Sequence, residues 1–434
     1  MVRFRLYGLF LLTACLLTAG CQRKSIIPEG QEVPGEKVYT GCIPENTDEL
    51  PKVYIEYPKA IDSKEEWTEN CIVTITATVN GETKTVYSSE GVKVKGHGNS
   101  TWEAYPKKPY ALKLPEQANF IGTGPTKRWV LLANWMDRTL LRNSLAFEAA
   151  RRTSLEWTPS GTFIELYMKG THDSWNRRGC YWLGERIHVE GSHFTCDYLY
   201  SYDTSDPDEH DFESLHGHWK RHTENGGIPV ELKYPDRDDY SEEEFTEILH
   251  AAENALHERE EALMRGDKPS SVLDIDSFVD WYLVNELASN EEPQFPKSCF
   301  LYLKNGRLYA GPVWDFDWGT FIPGIRTLTL KSSLYYFQLW THPEFRSALK
   351  RRWKLLKPQF ESLDRFIDQK AALIEKSEAY NRGIWPCYPN PLAEGENGLV
   401  NGDELLSFRE AISRMKEALA ERIKYMDFEI NALQ

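Results

Sequence analysis

The sequence has no Cys-x-x-Cys pair, no internal repeat, no low-complexity segment and no basic run longer than a few residues. Each absence removes a class of protein. Without paired cysteines and histidines at ligand spacing there is no structural zinc module, and without a repeat there is no solenoid. A general nucleic-acid binder is excluded because phosphate backbones are held by clustered cations; here 51 Lys and Arg face 66 Asp and Glu, a formal charge of −15. Apolar runs are short as well. The run from Leu6 to Gly20, behind Arg3 and Arg5, is too short and wrongly flanked for a membrane span, and has the form of a secretory signal.

What is present begins at that N-terminus. Leu17-Thr18-Ala19-Gly20 before Cys21 resembles the lipobox of a bacterial lipoprotein, with Leu12-Thr13-Ala14-Cys15 as a competing cut. The expectation is a signal peptide over 1–21 and a lipid on Cys21. That lipid anchors an exported chain in the cell envelope, facing the periplasm. Pro, Gly and charged residues without periodicity predict a flexible tether over 22–50.

Across its 434 residues the chain has 41% hydrophobic and 13% aromatic content, enough for one large core or two moderate ones, expected from residue 51 onward. The fold class expected is α+β. Residues 51–235 are strand-rich: Val53–Tyr57, Cys71–Val79, an Asn80-Gly81 turn, Thr83–Tyr87, Val92 onward, Tyr110–Leu114, Arg128–Ala133, Thr162–Met168, Cys180–Val189 and Pro229–Tyr234 alternate as antiparallel strands do. A helix capped by Asp137 is expected to reach about Arg152, and the acidic stretch from Tyr202 to Glu213 reads as a surface loop. Residues 236–434 are helix-rich. Ser241 and Glu244 form a capping-box signature, Phe278–Ser289 is apolar nearly all round, and Phe408, Ile412, Met415, Leu419, Met426 and Ile430 stripe the last helix.

The chemistry is concentrated in residues 311–319, Gly-Pro-Val-Trp-Asp-Phe-Asp-Trp-Gly. As a strand, this stretch sets Trp314, Phe316 and Trp318 on one face and Asp315 and Asp317 on the other, the carboxylates about 7 Å apart. Buried carboxylates lose several kcal/mol of hydration unless a cation or donors replace the water. Magnesium, held by one or two carboxylates plus substrate phosphates, suits such a pair. Upstream, Gly96-His97-Gly98-Asn99-Ser100-Thr101-Trp102 offers backbone amides to an anion. Lys113 lies in an apolar strand and needs an anionic partner. Glu148, on the core-facing side of its helix with Leu141 and Leu145, is the available one, with Arg152 at i+4 as the alternative. Glu291-Glu292 follows the buried helix, placed as a catalytic base would be.

The order of these parts follows a protein kinase. The chain resembles the spore-coat protein H (CotH) family of atypical kinase-like proteins through the Gly96–Trp102 loop, Lys108-Pro109-Tyr110-Ala111-Leu112-Lys113, the Trp129–Asn143 segment with Leu140-Leu141-Arg142-Asn143, and Gly311–Gly319. The resemblance implies an atypical protein-kinase-like fold that binds magnesium and ATP and phosphorylates Ser or Thr of a protein substrate. On it, Asn99 and Ser100 contact phosphates, and Lys113 pairs the nucleotide and is held by Glu148. Glu185 and Ile187 lie at the adenine hinge, Asp315 and Asp317 carry the metal, and Glu292 stands where an aspartate base is expected. A kinase-like envelope lipoprotein that binds a protein or glycan without catalysis stays open beside it.

Overall fold

Alternation of small apolar and polar residues builds the first half of the chain. Seven strands follow, β1 (Lys52–Tyr57), β2 (Thr68–Val79), β3 (Glu82–Gly96), β4 (Tyr110–Ala118), β5 (Thr126–Leu132), β6 (Gly161–Gly170) and β7 (Asn176–Glu185). In this computed structural model, which describes residues 41–190, 194–204, 210–215, 217, 227–389 and 398–433, they close into a barrel in the order β1-β2-β3-β4-β5-β7-β6. The antiparallel sheet expected from sequence is corrected in one respect: β1 pairs in parallel with β6. That pairing removes both exposed edges of the sheet. Val53, Ile55, Val73, Ile75, Val92, Val94, Leu112, Trp129, Leu131, Ile164 and Leu183 fill the barrel. Residues of the opposite parity face out, and Val130, Phe163, Cys180 and Trp182 join a second core with the following helix.

Between the strands lie a single-turn helix, α1 (Ser100–Glu103), and α2 (Arg142–Arg151). The latter starts five residues after the expected cap at Asp137. The Asp137 carboxylate nonetheless accepts from the backbone of Thr139 at 2.8 Å and of Arg142 at 2.7 Å, so it holds the loop that leads into the helix.

The second half is built on a sheet of β8 (Tyr198–Tyr202), β9 (Phe212–Glu213), β10 (Pro229–Tyr234), β11 (Cys299–Lys304) and β12 (Arg307–Ala310), ordered β12-β11-β8-β10-β9. Strands before and after position 235 thus share one sheet. Its central strand β8 was not expected. The helices are α3 (Glu242–Met264), α4 (Pro269–Val272), α5 (Ile275–Ala288), α6 (Tyr336–Leu339), α7 (Pro343–Glu361), α8 (Leu363–Ile384) and α9 (Phe408–Asn431). The Ser241–Glu244 capping box opens α3. In α5 every residue from Ser277 to Ala288 is buried, and the helix is capped by Asp274, which accepts from the Ser277 amide at 2.9 Å. The expected α9 stripe is buried throughout. Within this core, Glu286 of α5 meets Arg422 of α9 at 2.5 Å.

The expected tether is shorter than residues 22–50. Gly41 and Ile43 donate backbone hydrogen bonds to Val86 and Phe120 at 2.9 and 2.8 Å, Asp48 accepts from the Gly81 amide at 2.7 Å, and Ile43 and Leu50 are buried. The expected signal peptide, Cys21 and residues 22–40 lie outside the described residues, as do residues 205–209 of the expected acidic surface loop. Among the described residues no helix is long and apolar enough to cross a membrane.

Candidate active site

The sheet ends before the aspartates. The Gly311 amide donates to Phe300 at 2.9 Å, the last bond of the β12 edge, and Pro312 has no N–H with which to continue a ladder. Residues 311–319 are therefore a loop, not the expected strand, and the three aromatics do not share a face. Val313 and Phe316 sink into the larger core. Trp314 stacks on Phe147 of α2 with ring centroids 5.6 Å apart, while Trp318 packs in a separate cluster with Tyr105, Trp135 and Met136. Asp315 adopts φ +65°, a left-handed conformation that Asp tolerates better than most residues.

Side chains far away in sequence hold this loop where a sheet would otherwise have done so. Asn143 accepts from the Phe316 amide at 2.7 Å. Asn401 accepts from the Gly319 amide at 2.9 Å and donates to the carbonyls of Asp317 and Met136 at 2.9 and 3.0 Å. Arg142 donates to the Thr320 carbonyl at 2.9 Å and is itself clamped between Asp137 and Asp403. Sequence reasoning quoted Arg142 and Asn143 only as part of a resemblance and gave Asn401 no role. Local periodicity carries no signal for a side chain that caps a loop more than eighty positions away.

Asp315 and Asp317 are hydrogen-bonded to each other, and Glu292 lies close to both. Burial pushes Asp317 well above the usual carboxylate range, with Asp315 adding to the effect. Burial also raises Asp315, although its bond to Asp317 acts the other way. Burial of both carboxyls thus favours a proton held within the dyad. Glu292, in the single-turn segment Glu292–Gln294 after α5, is raised well above its ordinary value by burial and then by Asp315. Its Oε2 is buried with no hydrogen-bond partner. Ser298 donates weakly to Asp315 at 3.4 Å, and the exposed Lys297 is the cation that most offsets the charge on Glu292.

The glycine loop comes to this cluster from the barrel. His97 meets Trp314 edge-on at 6.2 Å, one residue from Asp315. Burial, with Arg186 and Lys95 nearby, holds His97 down at about 3, so the ring is neutral. Gly98 has φ +78° and leaves room for the Thr101 hydroxyl, which an added Cβ would meet at 2.1 Å. Asn99 and Ser100 are exposed at the tip, and Asn99 accepts from Lys64 at 3.1 Å.

The other expected residues are arranged differently. Lys113 lies on the outer face of β4, opposite Lys93 and Arg128, and does not pair with Glu148. Glu148 binds Arg151 at 3.1 Å and Arg152 at 2.9 Å instead, the helix-flank alternative. Replacement Glu148→Ala is accordingly expected to leave Mg-ATP affinity within about threefold and to cost at most about 1 kcal/mol of stability, as for a partly exposed pair; calorimetric titration and urea unfolding measure the two. The Glu185 carboxylate is turned inward, accepting from Thr123 at 2.7 Å and from the Ser160 amide at 3.0 Å, so at position 185 only backbone is left for a ligand. Ile187 packs in a small apolar cluster with Val189 and Phe194. Cys71, Cys180, Cys299 and Cys387 are buried free thiols.

The geometry thus sets neutral His97 and a glycine turn against the acidic loop, where His97 meets Trp314. None of the curated proteins compared matches this sequence. A family model described as CotH kinase protein matches residues 93–426, a span that takes in the glycine loop, the acid cluster, the Arg142–Asn143 support and the α9 stripe. The chain belongs to the CotH kinase protein family.

Proposed function

We propose that this chain transfers a phosphoryl group from Mg-ATP to Ser or Thr hydroxyls of a protein substrate, on an atypical kinase-like scaffold. The observation that carries the reading is the gathering of Glu292, Asp315 and Asp317, all held above the ordinary carboxylate range, with a buried Glu292 oxygen that has no partner. Such a group is costly unless it has a counter-charge or a proton to take. Among the described residues, no three His, Cys, Asp or Glu side chains are gathered closely enough to cage a metal by themselves. A carboxylate pair completed by phosphate oxygens is the arrangement magnesium takes, so Asp315 and Asp317 fit that ion. When bound, Mg-ATP supplies the phosphoryl group and neutralises its developing charge.

The chain's own residues do the rest. The dyad gives up its proton when a cation is held. Glu292 takes the acceptor hydroxyl proton, and its raised pKa brings it nearer the working pH, where a general base is most effective. The amides at Gly98-Asn99-Ser100 and Lys113 hold phosphates, and Trp314 and Phe147 exclude water behind Asp315. With labelled ATP and magnesium, transfer to the chain itself or to a casein-like acceptor is expected; Glu292→Gln is expected to lower it 100-fold or more while Mg-ATP still raises the melting temperature. The envelope location proposed with it, through lipid on Cys21, is tested by palmitate labelling that Cys21→Ser abolishes.

A second reading, a partner-binding protein without transfer, is favoured by the cavity beside Glu185. It is lined by Thr126, Trp157, Glu185, Arg186, His188 and Glu190 and has room for about one water, so a partner would meet these residues at the surface. Absence of both transfer and a magnesium-dependent ATP shift in the wild-type chain would decide for this reading.

A further inference from the structure

The outer face of the barrel carries a row of cations. Lys93 of β3 stands opposite Lys113 of β4, and Lys113 opposite Arg128 of β5. The Arg186 amide, just past β7, donates to the Arg128 carbonyl at 3.2 Å. Two residues along, and so on the same face, Lys95, Ala111, Val130 and Gly184 form the next row. In that row Ala111 and Val130 are fully buried and the Trp182 ring covers Gly184, and the inward positions Val94, Leu112 and Trp129 show which way the cations point.

These cations are not equivalent. Lys93 is paired with Glu69 at 2.5 Å and Arg128 with Asp236 at 2.9 Å. Lys95 lies 5.0 Å from the centre of the Trp67 ring and reaches the Glu65 carbonyl at 3.4 Å. Lys113 and Arg186 have no ion-pair or side-chain hydrogen-bond partner among the described residues. Arg186 is half-buried, pressed down to about 10 by burial and by Arg128. It is also the charge that most affects His97 after burial, and His97 touches Trp314 beside Asp315. Asp236 and Glu231 act on Arg186 in the opposite sense to Arg128, and neither bonds it; a desolvated, fork-shaped cation linked to the acidic loop through His97 and Trp314 is arranged for an anion that bridges the two sides.

We propose that Arg186, with Lys113 beside it, is the clamp for the polyphosphate of the substrate, and takes the place of a lysine–glutamate pair. This rests on the phosphoryl-transfer reading, and it reassigns the segment expected to hold adenine: the side chain at 186 binds phosphate oxygens. The ligand class is a triphosphate or pyrophosphate ester, which offers the adjacent oxygens that a guanidinium binds two at a time.

The test is titration of the full chain with inorganic tripolyphosphate and with Mg-ATP, in the wild type and in Arg186→Ala, Arg186→Lys and Lys93→Ala. Arg186→Ala is expected to weaken both ligands tenfold or more and to raise KM for ATP by a similar factor, with the melting temperature of the free protein unchanged. Arg186→Lys keeps part of the affinity, and Lys93→Ala, whose cation is already paired, stays within twofold. Tight binding that survives Arg186→Ala overturns the clamp and leaves phosphoryl transfer standing. Arg186-dependent tripolyphosphate binding without any transfer keeps the clamp and removes the transfer reading. No binding of either ligand by the wild type overturns the clamp.

Discussion

Replacement Asp317→Asn is expected to abolish phosphoryl transfer, by 1,000-fold or more, and at the same time to raise the melting temperature of the free protein. Both effects come from the same burial. Asp317 is 8% exposed, hydrogen-bonded to Asp315 and held well above its ordinary value of 3.8. A carboxyl raised in the folded state binds a proton there that the unfolded chain has already released. Stability therefore falls as pH climbs from about 4 upward, and the penalty is complete only above the folded value. An asparagine amide has no charge to desolvate and can donate to Asp315 in place of the shared proton. The gain, on the order of 1–3 kcal/mol, should be full at pH 8 and vanish toward pH 4. Thermal unfolding of both proteins across that range measures it. A variant that is less stable at pH 8, or a gain that grows as pH falls, would show that Asp317 is not the buried acid described. The site trades stability for a charge that only a bound cation relieves.

His97 contributes with the opposite sign. Its folded value near 3 lies below the ordinary 6.5, so the unfolded chain binds the proton first and stability is lost as pH falls below about 6.5. The glycine loop and the acidic loop, in contact through Trp314, thus respond to acid in opposite directions.

The sequence was most informative where a feature is local. The β2–β3 hairpin over Asn80-Gly81, the Ser241 capping box, the all-round burial of α5 and the stripe of α9 follow from residues within a turn or two of one another. Glu292, Asp315 and Asp317 were legible for the same reason: each is a carboxylate set among aromatics or after a buried helix. Strand β8 was hidden because Tyr198–Tyr202 borders an acidic, turn-rich stretch and pairs with β11, about a hundred residues later. The parallel β1–β6 seam, which closes the barrel, is equally non-local. The aspartate stretch misled because alternation alone cannot tell a strand from a loop whose amides are met by Asn143 and Asn401. Glu148 misled because a core-ward direction on a helix wheel does not distinguish a cleft from a flank where Arg151 and Arg152 wait.

The second large effect is expected at a residue that touches no ligand. Arg142 is fully buried, bonded to Asp137, to Asp403 at 2.7 Å and to the Thr320 carbonyl at 2.9 Å. Arg142→Met keeps much of the volume but leaves two carboxylates without their cation, at a cost of about 3–5 kcal/mol. Asp403 is already raised by burial, with Arg142 acting to lower it, so in the variant it moves further up. Protonation then recovers part of the loss: the gap to wild type in urea unfolding should be wide at pH 8 and narrower at pH 5. A gap independent of pH would mean that packing, not charge, is what Arg142 supplies. Asn143→Ala makes the complementary cut. It frees the Phe316 amide and the Asn134 side-chain oxygen, at about 1–2 kcal/mol, yet it should reduce Mg-ATP affinity more per unit of stability lost than Arg142→Met does. The reason is geometric. Asn143 fixes the one residue between the two aspartates, whereas Arg142 fixes the end of the loop, so a small loss at 143 displaces both carboxylates and a large loss at 142 first loosens the scaffold behind them.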